Sequence, residues 1–278
     1  MIRKLLVVSG AGNYPRLVIA GARKAGVSQI DVLSIKGSCE RATRKLADGV
    51  YPFAVGCAAQ AVKWAGTMGY DGAVLAGQAN PLSLFRSFIE PEVRQWLAEM
   101  PAKNAHSIFG RLIAEFEKYG TPILPASTFM DDNLPGVGPL TARGFTEQEE
   151  SDIRRGIEVA DDVGRHDVGQ TVMVKSGMVL AVEAFEGTNA AIRRGGRLGG
   201  KGGVVFKAAR KGHDMRFDIP VVGLKTLKTM RRAGATALGY QAGRLILLDR
   251  DEVVEYANRH DMAVVGIDSG LPPAPTRG

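Results

Sequence analysis

Lys4-Leu5-Leu6-Val7-Val8-Ser9-Gly10-Ala11-Gly12-Asn13-Tyr14-Pro15 is the stretch that sets the class of this chain. Its apolar run, residues 5–8, stops at glycines, which is how a buried parallel strand enters a tight turn. Pro15 suits the first turn of a helix, and Leu17, Val18, Ala20 and Gly21 carry that helix towards Gly26. The pattern then recurs. A strand is predicted at 30–35, a helix at 58–68, a strand at 73–76, a helix at 107–119 and a last short strand at 121–124. Strands alternating with helices of this size predict a Rossmann-like parallel sheet with helices on both faces.

Working outward, the texture changes between residues 125 and 145, where Pro125, Pro135, Gly136, Gly138, Pro139 and Gly144 interrupt regular structure. A connector of this length is unusual inside a compact domain. The chain is therefore read as an N-terminal α/β domain at 1–133, a linker at 134–144 and a C-terminal mixed α/β domain at 145–278. The second half opens on the acidic helix entry Thr146-Glu147-Gln148-Glu149 and a helix to about 163. Strands at 170–175 and 179–185, separated by Ser176-Gly177-Met178, predict a hairpin. After a glycine-rich stretch at 195–203 come a strand at 204–208 and a helix at 224–233. A second hairpin (237–240 with 245–248), a helix at 251–259 and a closing strand at 263–267 follow. The proline-containing tail, 271–278, is expected to be disordered.

Composition narrows the partners. The 278 residues are 45% hydrophobic and 23% charged, which is globular usage, and 36 Lys+Arg against 29 Asp+Glu give a net charge of +7. That bias suits an anion. With 6% aromatics and no basic run interleaved with Phe or Tyr, a small anionic ligand is favoured over nucleic acid. Cys39 and Cys57 form no zinc pattern and read as free thiols, and no stretch reaches the roughly 20 apolar residues of a membrane span. A cytoplasmic protein is expected, with room for rest on a membrane surface. The segment 82–89, LSLFRSFI, reads as a core helix before it reads as a membrane dip.

Ser9-Gly10-Ala11-Gly12-Asn13 offers G-x-G, but the third glycine position is Pro15 and the second strand ends Ser34-Ile35-Lys36 with no acidic residue. A nicotinamide dinucleotide site lacks its fingerprint. Gly195-Gly196-Arg197-Leu198-Gly199-Gly200-Lys201-Gly202 matches G-x-x-x-x-G-K but has glycine where a P-loop needs Ser or Thr, so it is read as a mobile basic loop. His106, His166, His213 and His260 are scattered, and no nucleophile elbow occurs. The densest chemistry lies in Glu183-Ala184-Phe185-Glu186-Gly187-Thr188-Asn189, Arg193-Arg194, and the run 207–220, which packs Lys207, Arg210, Lys211, His213 and Arg216 around Asp214 and Asp218. Carboxylates that hold a hard cation, beside basic groups that neutralise phosphate oxygens, suit phosphoryl chemistry.

These segments, in order, resemble the UDP-2,3-diacylglucosamine diphosphatase family of lipid A biosynthesis, the two-domain magnesium-dependent type and not the calcineurin-like one. The resemblance rests on KLLVVSGAGNYP, GRHDVGQTVMVKSGMVLAVEAFEGTNAAIRRGG, GGVVFKAARKGHDMRFDIPVVG, GYQAGRLILLDRDEVVEYAN and VVGID, spanning nearly the whole chain. It implies Mg²⁺-dependent (or Mn²⁺-dependent) hydrolysis of UDP-2,3-diacylglucosamine to UMP and 2,3-diacylglucosamine 1-phosphate, water attacking the phosphorus attached to uridine. It also implies a site between two domains, a homodimer, and a peripheral position on the inner face of the cytoplasmic membrane. On this resemblance Asp218, Glu186 and Arg216 are the catalytic candidates, and Asp218, Glu183 and Glu186 the metal ligands. Gly10, Gly12, Asn13, Gln78, Asn80, Gln170, Thr188, Asn189, Arg193 and Lys207 would bind substrate. Two positions depart from the pattern: Asn189 stands where many relatives carry Asp, and Gln78 where Asn or Lys is expected. A non-catalytic nucleotide-sugar or lipid binding protein and an NAD(P)-dependent oxidoreductase are the alternatives.

Overall fold

A computed structural model describes residues 2–78, 88–100, 105–166, 168–209 and 214–276. Asn80, most of the 82–89 segment and the basic run 210–213, with its His213, lie outside the described residues. The chain divides into two units. One comprises Met1–Asp131, Met215–Phe217 and Pro275–Gly278; the other comprises Asp132–Asp214 and Asp218–Ala274.

The first unit is built on β1 (Lys4–Ser9), β2 (Gln29–Ile35), β3 (Gly49–Phe53) and β4 (Gly72–Ala76), all parallel, in the order β3-β2-β1-β4. The helices are α1 (Tyr14–Lys24), the short α2 (Arg41–Arg44), α3 (Ala58–Thr67), α4 (Pro91–Glu99) and α5 (Ala105–Lys118). Both faces of β1 are covered: Leu6 and Val8 pack with Val62 and Ala65 of α3 and Ile113 and Phe116 of α5, while Leu5 and Val7 are equally buried. That two-sided burial is why the strand is a continuous apolar run. β3 has no such run: Val50 and Tyr51 are half-buried and Pro52 exposed, so it carried no strand signal in the sequence. Residues 121–124, expected as a strand, form only an isolated bridge between Ile123 and Ala73.

The second unit carries β5 (Gly138–Pro139), β6 (Thr171–Lys175), β7 (Met178–Val182), β8 (Gly203–Lys207), β9 (Val221–Val222), β10 (Ala235–Gln241), β11 (Ile246–Leu247) and β12 (Ala263–Ile267). Six of them form a mixed sheet in the order β5-β12-β10-β8-β6-β7. β8, β10 and β12 run parallel, while β5, β6 and β7 pair antiparallel to their neighbours. α6 (Glu147–Gly164) covers one face through Ile153, packed with Val172, Val174 and Phe206. α7 (Thr188–Gly199), α8 (Leu224–Arg232) and α9 (Arg250–Arg259) cover the other through Ile192, Leu227, Met230 and Val253.

Local chemistry fixes these elements. Thr146 accepts from the Glu149 amide while Glu149 accepts from the Thr146 amide, a reciprocal cap on α6. The β6–β7 hairpin turns at Ser176 (φ 49°) and Gly177 (φ 77°), both left-handed as a tight two-residue turn requires. Asp152 of α6, 1% exposed, accepts both turn amides at 2.8 and 2.7 Å.

Four expectations are corrected. Residues 134–144, expected as a linker, supply β5, paired with β12. The second hairpin does not exist: β11 pairs in parallel with β9, and β10 lies between β8 and β12. The supposed glycine loop is helical through Gly199, because its glycines permit close packing. A Cβ on Gly195 would lie 2.6 Å from Met173 Sδ, and one on Gly196 would lie 2.4 Å from the Ala233 carbonyl oxygen. The tail is held as far as residue 276: Ala274 donates to Gly243, and the Phe129 amide donates to Thr276.

Candidate active site

The sheet of the second unit places its chemistry at one end. Thr171 of β6 and Lys207 of β8 are directly opposite in an antiparallel pair, so their side chains share a face. Both are buried, at 1% and 6% exposure. Lys207 Nζ donates to Thr188 Oγ1 at 2.8 Å, and Thr171 Oγ1 donates to the same atom at 3.4 Å. Thr188, the first residue of α7, in turn donates to Glu183 Oε1 and Oε2 at 3.0 and 3.1 Å. One hydroxyl thus links a buried ammonium to a carboxylate. Gln170, next to Thr171, donates its Nε2 to Asp218 Oδ1 at 2.7 Å.

Burial pushes the Lys207 ammonium below its ordinary range, while the charges of Glu183 and Asp218 pull it back up. A cation held under tension between desolvation and two carboxylates is what a site for an anionic group needs, since low dielectric strengthens its field. Asn189 adds a second sign. Its Oδ1 is buried and accepts no hydrogen bond among the described residues, the kind of atom that calls for an explanation such as a ligand.

Of the expected site residues, Glu183, Asp218, Lys207, Thr188 and Gln170 are brought together. Asn189 follows Thr188 at the start of α7, and Asn80 lies outside the described residues. Glu186 is tied to Arg194 at 2.5 Å, with its pKa held below the ordinary carboxylate range chiefly by that hydrogen bond. Among the described residues no set of three His, Cys, Asp or Glu side chains could hold a metal. Mg²⁺ itself asks for less: one or two carboxylates, with water and substrate phosphates completing its shell. Glu183 and Asp218 supply that number.

Arg216 falls in the first unit, where its Nη1 donates to Glu117 Oε1 at 2.6 Å and its neighbour Phe217 stacks on Phe109. Residues 215–217 form a turn, with the Asp218 amide donating to the Asp214 carbonyl. Arg193 lies on the α7 face towards Arg232 and Ala233. Thr171 was missed, although its place beside Gln170 at the start of a strand was legible.

In the first unit, the glycine turn packs backbone against backbone. The Gly10 amide donates to Ala76, while Ala11 and Gln78 exchange backbone hydrogen bonds at 2.8 and 2.9 Å. A Cβ on Gly10 would lie 2.4 Å from the Gln78 carbonyl oxygen. Gly12 has open space around it but sits at φ 95°, so it serves the turn's conformation. Asn13 precedes α1 without capping it by its side chain.

The fold and site define a two-domain α/β protein whose C-terminal unit buries a lysine between carboxylates at the end of a mixed sheet. Residues 4–133 match the LpxI N-terminal domain family and residues 136–265 the LpxI C-terminal domain family. The chain belongs to the LpxI family. It is similar to the UDP-2,3-diacylglucosamine pyrophosphatase LpxI of Caulobacter vibrioides, 34% identical over 174 residues, which are 60% of this chain and 62% of that protein. The match therefore spans less than two thirds of that relative. Solved structures are distant. The biotin carboxylase domain of Hydrogenobacter thermophilus 2-oxoglutarate carboxylase aligns at TM-score 0.29 and 16% identity, over 64% of this chain and 36% of that one. The biotin carboxylase subunit of pyruvate carboxylase aligns at TM-score 0.28 and 16% identity, over 62% and 35%.

Proposed function

We propose that the chain hydrolyses the pyrophosphate link of UDP-2,3-diacylglucosamine, releasing UMP and 2,3-diacylglucosamine 1-phosphate. The observation that carries this reading is the buried Lys207, bracketed by Glu183 and Asp218, in a chain matched along both halves by the LpxI family. The named activity of the Caulobacter relative supports the substrate.

Lys207 offsets negative charge on the phosphoryl oxygens, and more so as charge develops during attack. Thr188 fixes that ammonium and holds Glu183 in register with it. Asp218, positioned by Gln170, orients the attacking water and accepts its proton. Mg²⁺, when bound, supplies further neutralisation of the diphosphate, and Glu183 and Asp218 are the residues that would hold it. No helix among the described residues is long and apolar enough to cross a membrane. With a net charge of +7 and a doubly acylated substrate, the reading places the protein at an anionic membrane surface as a peripheral enzyme.

The test is release of UMP from UDP-2,3-diacylglucosamine by the purified protein, with and without EDTA, beside Asp218→Ala. Turnover is expected to fall by orders of magnitude in the variant, with its circular dichroism unchanged. Normal activity in Asp218→Ala would remove the assigned role, and no UMP from the wild type at any divalent ion would remove the function.

A further inference from the structure

α7 and α8 cross closely because Gly196 lets the Ala233 backbone approach, and beside that crossing lies a cleft of about 350 Å³. It is lined by Arg193, Gly196, Arg197, Arg232 and Ala233. Arg193 and Arg197 are one helical turn apart on one face of α7, and Arg232 ends α8. All three are exposed, and none has an ion-pair or hydrogen-bond partner among the described residues.

Arg194, on the same helix, pairs with Glu186; Arg154 pairs with Glu150, Arg155 with Glu158 and Arg143 with Glu149. Three guanidiniums without a carboxylate leave a positive field concentrated on one concave patch. Both helices end here, and their negative ends favour cations, but each dipole amounts to only about half a charge, so the patch stays positive. The cleft is also separate from the lysine site. Thr188 precedes Arg193 by five residues, about 140° around the helix, and faces Lys207, while Arg193 and Arg197 face α8.

We infer that the Arg193–Arg197–Arg232 cleft is a second anion site, which takes a phosphate group. Guanidinium forks match phosphate oxygens two at a time, which lysines do not. The phosphate can belong to a lipid headgroup or to a soluble phosphate compound, and the site does not depend on the hydrolytic reading.

The test compares the wild type with Arg197→Gln/Arg232→Gln in two arms. One arm is calorimetric titration with inorganic phosphate at low salt. The other is co-sedimentation with phosphatidylcholine vesicles, with and without phosphatidylglycerol. Wild-type binding in at least one arm, weakened about tenfold or more in the double variant, is the expected result. Binding confined to phosphatidylglycerol vesicles identifies a headgroup, and binding of inorganic phosphate identifies a soluble ligand. Equal binding by both proteins, or binding by neither in either arm, overturns the inference. Both side chains are exposed, so thermal melting is expected to be unchanged. The single variant Arg232→Gln should show the same direction with a smaller loss. UMP release from detergent-solubilised substrate reads the lysine site separately and should be equal in wild type and double variant.

Discussion

The two units finish their central strands in different ways. After β1, Gly10 and Ala11 give their amides to Ala76 and Gln78, and backbone fills the end of the sheet. At the end of β8, side chains fill it: Lys207, Thr171, Thr188, Glu183, Gln170 and Asp218. The first arrangement gives its Gly10 and Ala11 amides to backbone carbonyls, which closes the strand end with main chain. The second buries a charge whose partners hold it only in part, which costs stability and is what differential binding of a reacting phosphate requires. A glycine turn after a first strand is thus a weaker sign of function than a buried lysine opposite a threonine.

The contrast can be broken most sharply at Lys207. Lys207→Met removes the cation and leaves Glu183 without it, so turnover should drop about 10²–10³-fold, as it does when one preorganised donor is lost. If UMP release stays within a factor of about two, near the scatter of individual contributions, the lysine is structural and the two sheet ends are alike after all.

Acid offers a second test. Glu149 is held down to about 2: burial opposes its ionisation, but hydrogen bonds from Arg143, Thr236 and the Thr146 amide, with the Arg143 charge, prevail. Its folded pKa lies below the unfolded value, so its contribution is complete above the ordinary carboxylate range and is lost as pH falls towards 2. That contribution is on the order of 3 kcal/mol at most. Denaturant midpoints between pH 6 and pH 2 should fall for the wild type more than for Glu149→Gln. Parallel curves would contradict the ascribed coupling.

The smallest effects separate the glycines. Gly10→Ala must push aside the Gln78 carbonyl and should cost about 1–3 kcal/mol, whereas Gly195→Ala meets the flexible Met173 thioether and should cost less. Thermal melts of the two variants decide the order.

Much of this was legible. The strand-turn-helix opening, the acidic entry to α6 and the hairpin at Ser176-Gly177 declare themselves through local chemistry. What was not legible depended on packing. Glycines in α7 look like a loop until Met173 and Ala233 are seen to need the space, and β3 hides because it is only half-buried. For the site, resemblance to known sequences pointed to Lys207, Thr188, Glu183, Gln170 and Asp218, but not to their connection. The pairing of Glu186 with Arg194 and of Arg216 with Glu117 was not legible, because proximity along the chain says nothing about which partner claims a charge first.

Asp152 shows how far such a connection reaches. By clasping the amides of Ser176 and Gly177 it fixes where β6 turns into β7. A slip of one residue there would send every side chain of β6 to the opposite side of the sheet. Thr171, four residues before the end of that strand and roughly 14 Å along it, would then face α6 instead of Thr188. A carboxylate on a distant helix therefore acts as the ruler that keeps the lysine's hydroxyl neighbours within reach.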